Sequence, residues 1–404
     1  MLETYRPGYA LDQRSYLDPE VYRAEFELIW QRSWLFAAVG GELREPGDYV
    51  VYDVGDQSVL IVRLPDGGVA AHHNVCRHRG SLVATEASGR VRSFVCPYHQ
   101  WVYDLDGSLR ACRSMPKETD RSVLGLRPVQ VRELEGLIYI CLADDPPDFE
   151  PAARLMGPMA AVQGFGAAKV AASVDYEIAA NWKLVWENNR ECYHCDVNHP
   201  QYIKANFDRY DAIDMNERIE LRMAEAAERC GLEVTHAEAG LAEFPDATGQ
   251  IWYSANRTPM VEGYVSESMD GTRVAPLMGG YTSEDVGVLR LRTLPNFWQH
   301  GSCDHSVITR LTPAGFGVTR VRVTWLVDGD ADDYRLEDLM PFWQLTSEQD
   351  WEICERQQRG VRSSAYLPGP LSPDKEYNVI NFHRWWAGLV GQSTTLRRSS
   401  GLPA

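Results

Sequence analysis

Apolar residues recur at two different intervals along the first 150 positions, and each interval predicts a different element. Residues 15–36 carry a helix signal, because Asp18 can cap a helix and Pro19 suits its first turn. Apolar residues then follow at helical spacing, namely Tyr22, Phe26, Ile29 and Trp30. Turn signals such as 65–68 and 106–107 separate three strand-like runs, which are residues 49–52, 59–62 and 137–140. We therefore predict an N-terminal helical segment over residues 1–39, packed on the later domain, and a small all-β domain over residues 40–150.

From residue 151 onwards the pattern mixes strand and helix periods. Residues 288–292 and 320–325 alternate in polarity, which predicts half-buried antiparallel strands. Residues 333–359 are predicted to form one long helix that Gly360 ends. Because strands and long helices occur without a βαβ rhythm, we expect an α+β fold with a second domain over residues 151–404.

Composition and charge narrow the classes of function. The chain has 404 residues and a formal net charge of −17, which argues against nucleic acid as a partner. It lacks an apolar run of about 18 residues and does not begin like a secretory leader, so we expect a cytoplasmic protein outside the membrane. No G-x-G-x-x-G sequence follows a strand, so we do not expect nicotinamide or flavin on this chain.

The nine cysteines are odd in number and scattered, which favours reduced thiols over a disulfide scaffold. Five of them lie in no recognised motif and are predicted to pack as small hydrophobic residues: Cys112, Cys141, Cys230, Cys303 and Cys354. The other four lie close to histidines.

Two mixed loops carry the first candidate metal site. Cys76 and His78 form a C-x-H loop, and Cys96 and His99 form a C-x-x-H loop. Two thiolates and two imidazoles could hold zinc, or a Rieske [2Fe–2S] cluster with both cysteines on one iron and both histidines on the other. Zinc fingers usually group like ligands together, whereas each loop here is mixed and lies between strand-like segments. This order favours the cluster.

His194 and His199, which follow Glu191, form the second candidate site. Two histidines and one carboxylate on one face of the metal are the ligand set of non-haem iron(II) oxygenases. Histidines five positions apart are common by chance, so the spacing alone leaves a metal site and an incidental pair both open. A third ligand would have to come from further along the chain.

The residues around both motifs resemble the α subunits of Rieske oxygenases, the ring-hydroxylating oxygenase family. The similar segments are Cys-Arg-His-Arg-Gly at 76–80, Cys-Pro-Tyr-His-Gln-Trp at 96–101, Asn-Trp-Lys at 181–183 and residues 187–194. With both motifs in the family's order, the resemblance covers nearly the whole chain. It implies an all-β Rieske domain followed by a catalytic domain with an antiparallel sheet and long helices, of the helix-grip or START-like kind.

The resemblance also implies roles for single residues. In the family the third iron ligand is an aspartate on a late helix, and Asp350 occupies the matching place. Three other carboxylates compete with it: Glu348, Glu352 and Glu355. An acidic residue at position 191 links a cluster histidine of one subunit to an iron histidine of the next in a homotrimer. Glu191 departs from the aspartate of most members and is shared with a branch that acts on amines. Asn188 is expected beside the iron as a further residue of the catalytic site.

Residues 187–195, 263–271 and 366–372 look like those of the branch that demethylates glycine betaine and proline betaine. The implied reaction uses O2, and electrons from NAD(P)H through a separate ferredoxin-type flavin reductase, to oxidise a methylated amine and release formaldehyde. A quaternary ammonium group has no N–H and needs aromatic faces, for which the candidates are Trp252, Tyr253, Phe297 and Trp298. An aromatic-ring or aryl-ether oxygenase is the alternative of the same class. An electron-transfer protein without its own catalysis is the alternative of another class.

Overall fold

The computed structural model describes residues 5–206, 221–222, 224–231 and 252–399, with side chains up to residue 391. The N-terminal part contains two short helices, α1 (Gln13–Leu17) and α2 (Pro19–Glu25), followed by a π-helical turn (Phe26–Trp30). The helix signal over residues 15–36 is confirmed at its start, with Asp18 as the cap and Pro19 in the first turn, but helical structure ends at Trp30 and a separate short helix precedes Asp18. Asp18 separates the two helices, because its backbone is extended and its side chain accepts a hydrogen bond from the Glu20 amide at 2.9 Å. It ends α1 and caps α2.

The all-β part consists of short antiparallel strands. They are β1 (Leu35–Val39), β2 (Asp48–Val54), β3 (Gln57–Arg63), β4 (Val69–His73), β5 (Ser88–Arg90), β6 (Phe94–Val95), β7 (Val102–Tyr103), β8 (Leu109–Ala111), β9 (Gln130–Leu134) and β10 (Leu137–Cys141). Three sheets result, with the orders β1-β10-β9, β4-β3-β2-β5 and β6-β7-β8. The strand predictions at 49–52, 59–62 and 137–140 are confirmed in β2, β3 and β10. β1 precedes residue 40 and pairs with β10, with Leu35 opposite Ile140.

The second part of the chain follows helix α3 (Glu150–Gln163) and is built on one six-stranded antiparallel sheet. Its strands are β11 (Lys169–Ile178), β12 (Tyr253–Thr258), β13 (Val288–Thr293), β14 (Phe297–Gly301), β15 (His305–Gly315) and β16 (Val318–Val327). The order is β11-β16-β15-β14-β13-β12, so consecutive strands from β12 to β16 are neighbours and β11 forms the far edge. The strands predicted at 288–292 and 320–325 are confirmed in β13 and β16, as is the α+β class. β13 is covered on both faces rather than half-buried, with Arg292 as its one partly exposed residue.

The remaining helices that position the site are α4 (Trp182–Asn189), α5 (Cys195–Asn198), α6 (Pro200–Ala205), α7 (Leu336–Leu339), α8 (Pro341–Val361) and α9 (Tyr377–Ser399). The helix predicted over residues 333–359 is divided between α7 and α8, because Pro341 starts a new helix. Gly360 lies inside α8 rather than after it. None of the described helices is both long and apolar enough to cross a membrane.

Different helices cover the two faces of the large sheet. Leu291 and Phe297 are buried in one apolar cluster with residues of α3. Trp298 and Trp325 are buried in another cluster, with residues of α4, α6, α8 and α9. Side chains alternate along a strand, so Arg290 shares the second face. We call this second face the helix-covered face, and both histidines of the second candidate site lie in the segment that joins α4 to α6.

A buried ion pair between Glu25 and Lys183 connects the N-terminal helices with the helices of the helix-covered face. The Glu25 carboxylate in α2 accepts hydrogen bonds from Lys183 Nζ at 2.5 Å, Trp182 Nε1 at 2.9 Å and Trp386 Nε1 at 2.6 Å. Buried charges are tolerated only when they are paired and hydrogen-bonded, and this carboxylate meets that condition. The network connects α2 with α4 and α9 and so holds the helix that leads into the second candidate site.

Candidate metal centres

The two mixed Cys/His loops have the same backbone geometry. In each loop the cysteine carbonyl accepts a hydrogen bond from the amide four residues later, from Gly80 to Cys76 at 3.0 Å and from Gln100 to Cys96 at 3.0 Å. Gly80 and Gln100 both have positive φ, +77° and +60°, which reverses the chain after the histidine. The two loops therefore adopt the same turn, which allows each to supply one cysteine and one histidine to a shared site.

The four side chains of these loops lie together. The imidazole rings of His78 and His99 are 4.6 Å apart. The thiols of Cys76 and Cys96 are buried, whereas both histidines are partly exposed. The Tyr103 hydroxyl lies 3.2 Å from Cys76 Sγ, and among the described residues the buried His78 Nδ1 has no hydrogen-bond partner. Inner sulfurs and outer imidazole nitrogens fit a [2Fe–2S] cluster whose histidine-bound iron faces the surface.

His194, His199 and Asp350 converge on one point. Nε2 of His199 lies 2.9 Å from Asp350 Oδ1, and Nε2 of His194 lies 3.3 Å from the same oxygen. His194 comes just before α5, His199 lies between α5 and α6, and Asp350 is in the middle of α8. Two imidazole nitrogens and one carboxylate oxygen aimed at one point fit the facial ligand set of a non-haem iron(II) ion.

The second nitrogen of each imidazole has its own acceptor. His194 Nδ1 lies 2.6 Å from Glu191 Oε1, and His199 Nδ1 lies 2.8 Å from Gln349 Oε1. Because both oxygens accept, both Nδ1 atoms carry the proton and both Nε2 atoms are left with a lone pair for a metal. Gln349 is also held by Gln201 Nε2 at 2.9 Å. No sequence pattern singles out Gln349, since a neutral amide next to Asp350 forms no recognisable motif.

The charges at this point favour a bound cation. Burial lowers the pKa of His194, but hydrogen bonds and charges from Asp350 and Glu191 outweigh burial and raise the pKa to about 10. Burial raises the pKa of Asp350, but the hydrogen bonds and charges of His194 and His199 outweigh it and lower the pKa. In the metal-free protein the raised pKa places a second proton on His194, at Nε2 beside Asp350, and a divalent metal bound there would take the place of that proton.

Of the four carboxylates considered on α8, Asp350 is the one that faces the histidines. The other three make contacts elsewhere: Glu348 with Gln344 Nε2 at 3.0 Å, Glu352 with Arg356, and Glu355 with the Ala179 amide at 2.9 Å. Asn188 lies at the end of α4 with its Nδ2 atom 3.4 Å from His194 Nε2. The predicted Asn188 thus lies beside the convergence point.

Cys192 and Cys195 form a disulfide across the turn that contains His194, with their Cα atoms 5.0 Å apart. The expected preference for reduced thiols over disulfides therefore does not hold for this pair. The physical reason is local, because residues three apart in a helical turn face the same side. The seven other cysteines are free, and Cys141, Cys303 and Cys354 among them are buried as predicted.

The four aromatic residues predicted to form a cage do not lie together. Phe297 is buried on the α3 face, and Tyr253 packs against the same cluster. Trp252 contacts both clusters, and Trp298 alone is buried on the helix-covered face. Phe297 and Trp298 are neighbours on β14, so their side chains point to opposite faces of the sheet. The predicted cage of Trp252, Tyr253, Phe297 and Trp298 is therefore wrong as a set of four. The rings of Trp252 and Tyr253 contact each other, with centroids 5.3 Å apart, but Phe297 and Trp298 lie on opposite faces of the sheet.

A buried polar cluster that forms no local sequence motif lies on the helix-covered face. The Glu267 carboxylate, 1% exposed, accepts a hydrogen bond from Trp343 Nε1 at 3.0 Å and lies 3.3 Å from His300 Nδ1. The Tyr202 hydroxyl accepts a hydrogen bond from Arg290 Nη2 at 2.9 Å. The ring centroid of Trp343 lies 4.4 Å from that of His300 and 5.9 Å from that of Tyr202. We call these five residues the aromatic–charged cluster.

Two helices connect the aromatic–charged cluster to the histidine site. Trp343 and Asp350 are seven residues apart in α8, which places them on the same side two turns apart. Tyr202 lies in α6, three residues after His199. The seven-residue spacing in α8 is the sequence signal that could have identified Trp343.

Comparison with known proteins agrees with this geometry. The model of the Rieske [2Fe-2S] domain matches residues 33–131, and that of the ring hydroxylating alpha subunit (catalytic domain) matches residues 165–392. The match to the Rieske domain shows that the two Cys/His loops hold a [2Fe–2S] cluster rather than zinc. The second match implies iron in the catalytic domain.

Relatives and solved structures of this kind cover nearly the whole chain. The glycine betaine monooxygenase oxygenase subunit of Chromohalobacter salexigens is 38% identical over 96% of this chain and 88% of that protein. The protein of the same name from Pseudomonas aeruginosa is 36% identical over 99% of this chain and 95% of its own. The quaternary ammonium Rieske monooxygenase CntA in complex with L-carnitine shares the fold, with a TM-score of 0.68 and 20% identity over 95% of this chain and 96% of that one. The chain therefore belongs to the ring-hydroxylating oxygenase family, as the oxygenase α subunit of a Rieske non-haem iron monooxygenase.

Proposed function

We propose that this protein is the terminal oxygenase of a system that removes a methyl group from a quaternary ammonium compound of the glycine betaine or proline betaine type. Glycine betaine monooxygenase oxygenase subunits at 36% and 38% identity support this substrate class. The observation that carries the proposal is the convergence of His194 and His199 on Asp350 in a chain that also pairs two Cys/His loops.

The two metal groups have separate ligand sets. The [2Fe–2S] cluster would be held by Cys76, His78, Cys96 and His99, and the mononuclear iron by His194, His199 and Asp350. When bound, these groups supply single-electron transfer and dioxygen activation. The contribution of the chain is to orient the ligands, because Glu191 and Gln349 fix the imidazole tautomers.

Electrons would pass between copies of the chain in a homotrimer. Exposed apolar side chains flank both sites: Val95 and Tyr98 beside the cluster are 50% and 55% exposed, and Tyr193 and Val197 beside the iron site are 63% and 83% exposed. Such residues support burial against another copy. Glu191 already contacts His194, and a further lone pair on its carboxylate could accept a hydrogen bond from a cluster histidine of the neighbouring copy. Mass photometry of the holoenzyme should give three chains per particle, and a fully active monomer would contradict this arrangement.

The aromatic–charged cluster fits a small zwitterion. Trp343 and Tyr202 offer aromatic faces to a trimethylated ammonium, and Glu267 adds a buried negative charge beside them. Burial raises the pKa of Glu267, but His300 and Arg290 outweigh burial and lower it, so the carboxylate stays ionised. Arg290 is a positive charge of the same cluster that can attract a betaine carboxylate. A neutral arene would match neither charge, which is why the aromatic-ring and aryl-ether alternatives are less well supported.

The reaction balances as a monooxygenation. An N-methyl group, O2, two electrons and two protons give an N-hydroxymethyl group and water. The C–N bond of that product then breaks and releases formaldehyde, the demethylated amine and a proton. NAD(P)H would supply the electrons through a separate ferredoxin-type flavin reductase, and a cytoplasmic location fits this supply.

A formaldehyde-release assay tests the substrate class. Purified holoenzyme with a surrogate reductase and NADH should release formaldehyde from glycine betaine or proline betaine, with NADH consumed in equal amount. Choline, whose other end is a neutral hydroxyl group, and L-carnitine, whose carboxylate lies further from the ammonium, serve as ammonium controls. Oxidation of an arene without formaldehyde from any methylated amine would overturn the proposal.

Replacement of His199 by alanine separates an enzyme from an electron-transfer protein. His199→Ala should retain the absorption and electron paramagnetic resonance signal of the cluster, because no cluster ligand is changed. Turnover should fall to background, because the mononuclear iron loses a buried ligand. Turnover at the wild-type rate would show that the iron assignment is wrong.

A further inference from the structure

The turn that carries His194 brings two sulfurs to the edge of the iron site. The Cys195 amide donates a hydrogen bond to the Cys192 carbonyl at 3.2 Å, which closes the turn and directs both side chains to one side. Cys192 is half-buried and Cys195 is 4% exposed, and the two are joined as a disulfide. The iron site as assigned above makes no use of either sulfur.

Cys195 lies within reach of a metal bound at the histidines. Its Sγ atom is 4.0 Å from His194 Nε2, and one donor atom each from His194, Cys195 and His199 lie within 4.8 Å of one another. Ligand atoms at about 2.1 Å for nitrogen and about 2.3 Å for sulfur can lie at most about 4.4 Å apart around one ion. The distance from sulfur to His194 already satisfies that limit.

We propose that Cys195 is a latent sulfur ligand of the mononuclear site, which the disulfide with Cys192 holds out of coordination. This inference rests on the proposed iron site of His194, His199 and Asp350. In the disulfide form the site offers three ligands on one face and keeps open positions, as iron(II) in an oxygenase requires. In the dithiol form the Cys195 sulfur joins the donor group of His194 and His199. A thiolate with two imidazoles favours zinc over iron(II) and occupies a position that would otherwise stay open.

The redox step balances with a peroxide as the oxidant. Hydrogen peroxide and the two thiols give the disulfide and two molecules of water, with the two sulfurs oxidised and both peroxide oxygens reduced. A small dithiol such as dithiothreitol reverses the step by exchange: it becomes a cyclic disulfide, and both protein sulfurs regain their protons. The oxidation state of Cys192 and Cys195 would thereby determine whether the site prefers iron or zinc.

Two serine variants form a matched pair for the test. Cys192→Ser and Cys195→Ser both remove the disulfide and differ only in which sulfur stays. Only Cys192→Ser leaves a thiol 4.0 Å from His194 Nε2. Protein with an intact cluster, verified by its absorption and acid-labile sulfide, is equilibrated with equal concentrations of Fe(II) and Zn(II) and analysed for both metals.

We expect the ratio of bound zinc to iron in Cys192→Ser to exceed that in Cys195→Ser by about tenfold or more, since even outer contacts change metal affinity by about 10–100-fold. Wild-type protein reduced with dithiothreitol should behave as Cys192→Ser does, and peroxide-treated protein as Cys195→Ser does. Alkylation under denaturing conditions should find both thiols after reduction and a linked peptide after peroxide. Equal metal ratios in the two variants, or two alkylatable thiols after peroxide, would overturn the inference. Metal ratios do not depend on formaldehyde release, so failure of the substrate proposal would be recognised separately.

Discussion

Gln349 holds the proton of His199 on Nδ1, and its replacement by leucine would test whether that contact supports the metal site. Gln349 Oε1 accepts a hydrogen bond from His199 Nδ1 at 2.8 Å and from Gln201 Nε2 at 2.9 Å. Leucine has a similar size but no acceptor. The variant therefore leaves His199 free to place its proton on Nε2, the atom that must bind the metal.

The expected effect follows from the surroundings of His199. Loss of an outer hydrogen bond of this kind costs about 10–100-fold in metal affinity, about 1.4–2.7 kcal/mol. His199 is 1% exposed, so water cannot replace the lost acceptor, which favours the upper half of that range. Gln349→Glu retains an acceptor and should lose less than about tenfold.

Transfer of ferrous iron to a coloured chelator measures this affinity while the absorption of the cluster is followed as an internal control. Gln357→Leu makes the same change at an exposed position of α8 and should leave iron binding as in the wild type. If Gln349→Leu holds iron as tightly as Gln357→Leu does, the tautomer argument is refuted.

Three further variants test other contacts of the fold and the site. Glu191→Ala removes the acceptor 2.6 Å from His194 Nδ1; in protein saturated with Fe(II), so that both metals are bound, single-turnover electron transfer from cluster to iron should slow. Tyr103→Phe removes a donor 3.2 Å from Cys76 Sγ and should lower the reduction potential of the cluster by about 40 mV in a redox titration, which corresponds to about 1 kcal/mol for one electron. Lys183→Met leaves the Glu25 carboxylate buried without its cation and should destabilise the fold by about 3–5 kcal/mol, seen as a lower melting temperature by circular dichroism.

For each of these variants, one result would contradict the argument from which the prediction was made. A normal single-turnover rate in Glu191→Ala would exclude the bridge between copies. An unchanged potential in Tyr103→Phe would mean that the hydroxyl makes no hydrogen bond to the sulfur of the assembled cluster. A wild-type melting temperature in Lys183→Met would contradict the buried pair, and the double variant Glu25→Gln/Lys183→Met should recover part of the loss because it removes both charges.

The sequence predicted strands better than helix boundaries, for a physical reason. Alternating polarity gives residues 288–292 and 320–325 an unambiguous period of two, although in β13 both faces of the strand are covered. Asp18 and Pro341 each start a new helix inside a longer apolar pattern. The pattern continues across each break because the helices before and after it bury their apolar residues in the same core. The domain boundaries at residues 40 and 150 stay predictions.

The candidate site was predictable where its residues are close in sequence. The Cys/His loops and the pair of His194 and His199 are local motifs, whereas Asp350 could be singled out only by resemblance to a family. The substrate cage was wrong because residue type does not determine the face of a sheet, as Phe297 and Trp298 show. Glu267 belongs to no local motif, and only the fold brings it to Trp343.

Iron and acid-labile sulfide analysis of fully loaded protein tests most directly whether two separate metal centres share this chain. The ligand sets predict three iron atoms and two sulfides per chain, two of the irons in the cluster and one at His194, His199 and Asp350. Two irons and two sulfides per chain, in protein that turns over at its full rate, would contradict the assignment of the second centre.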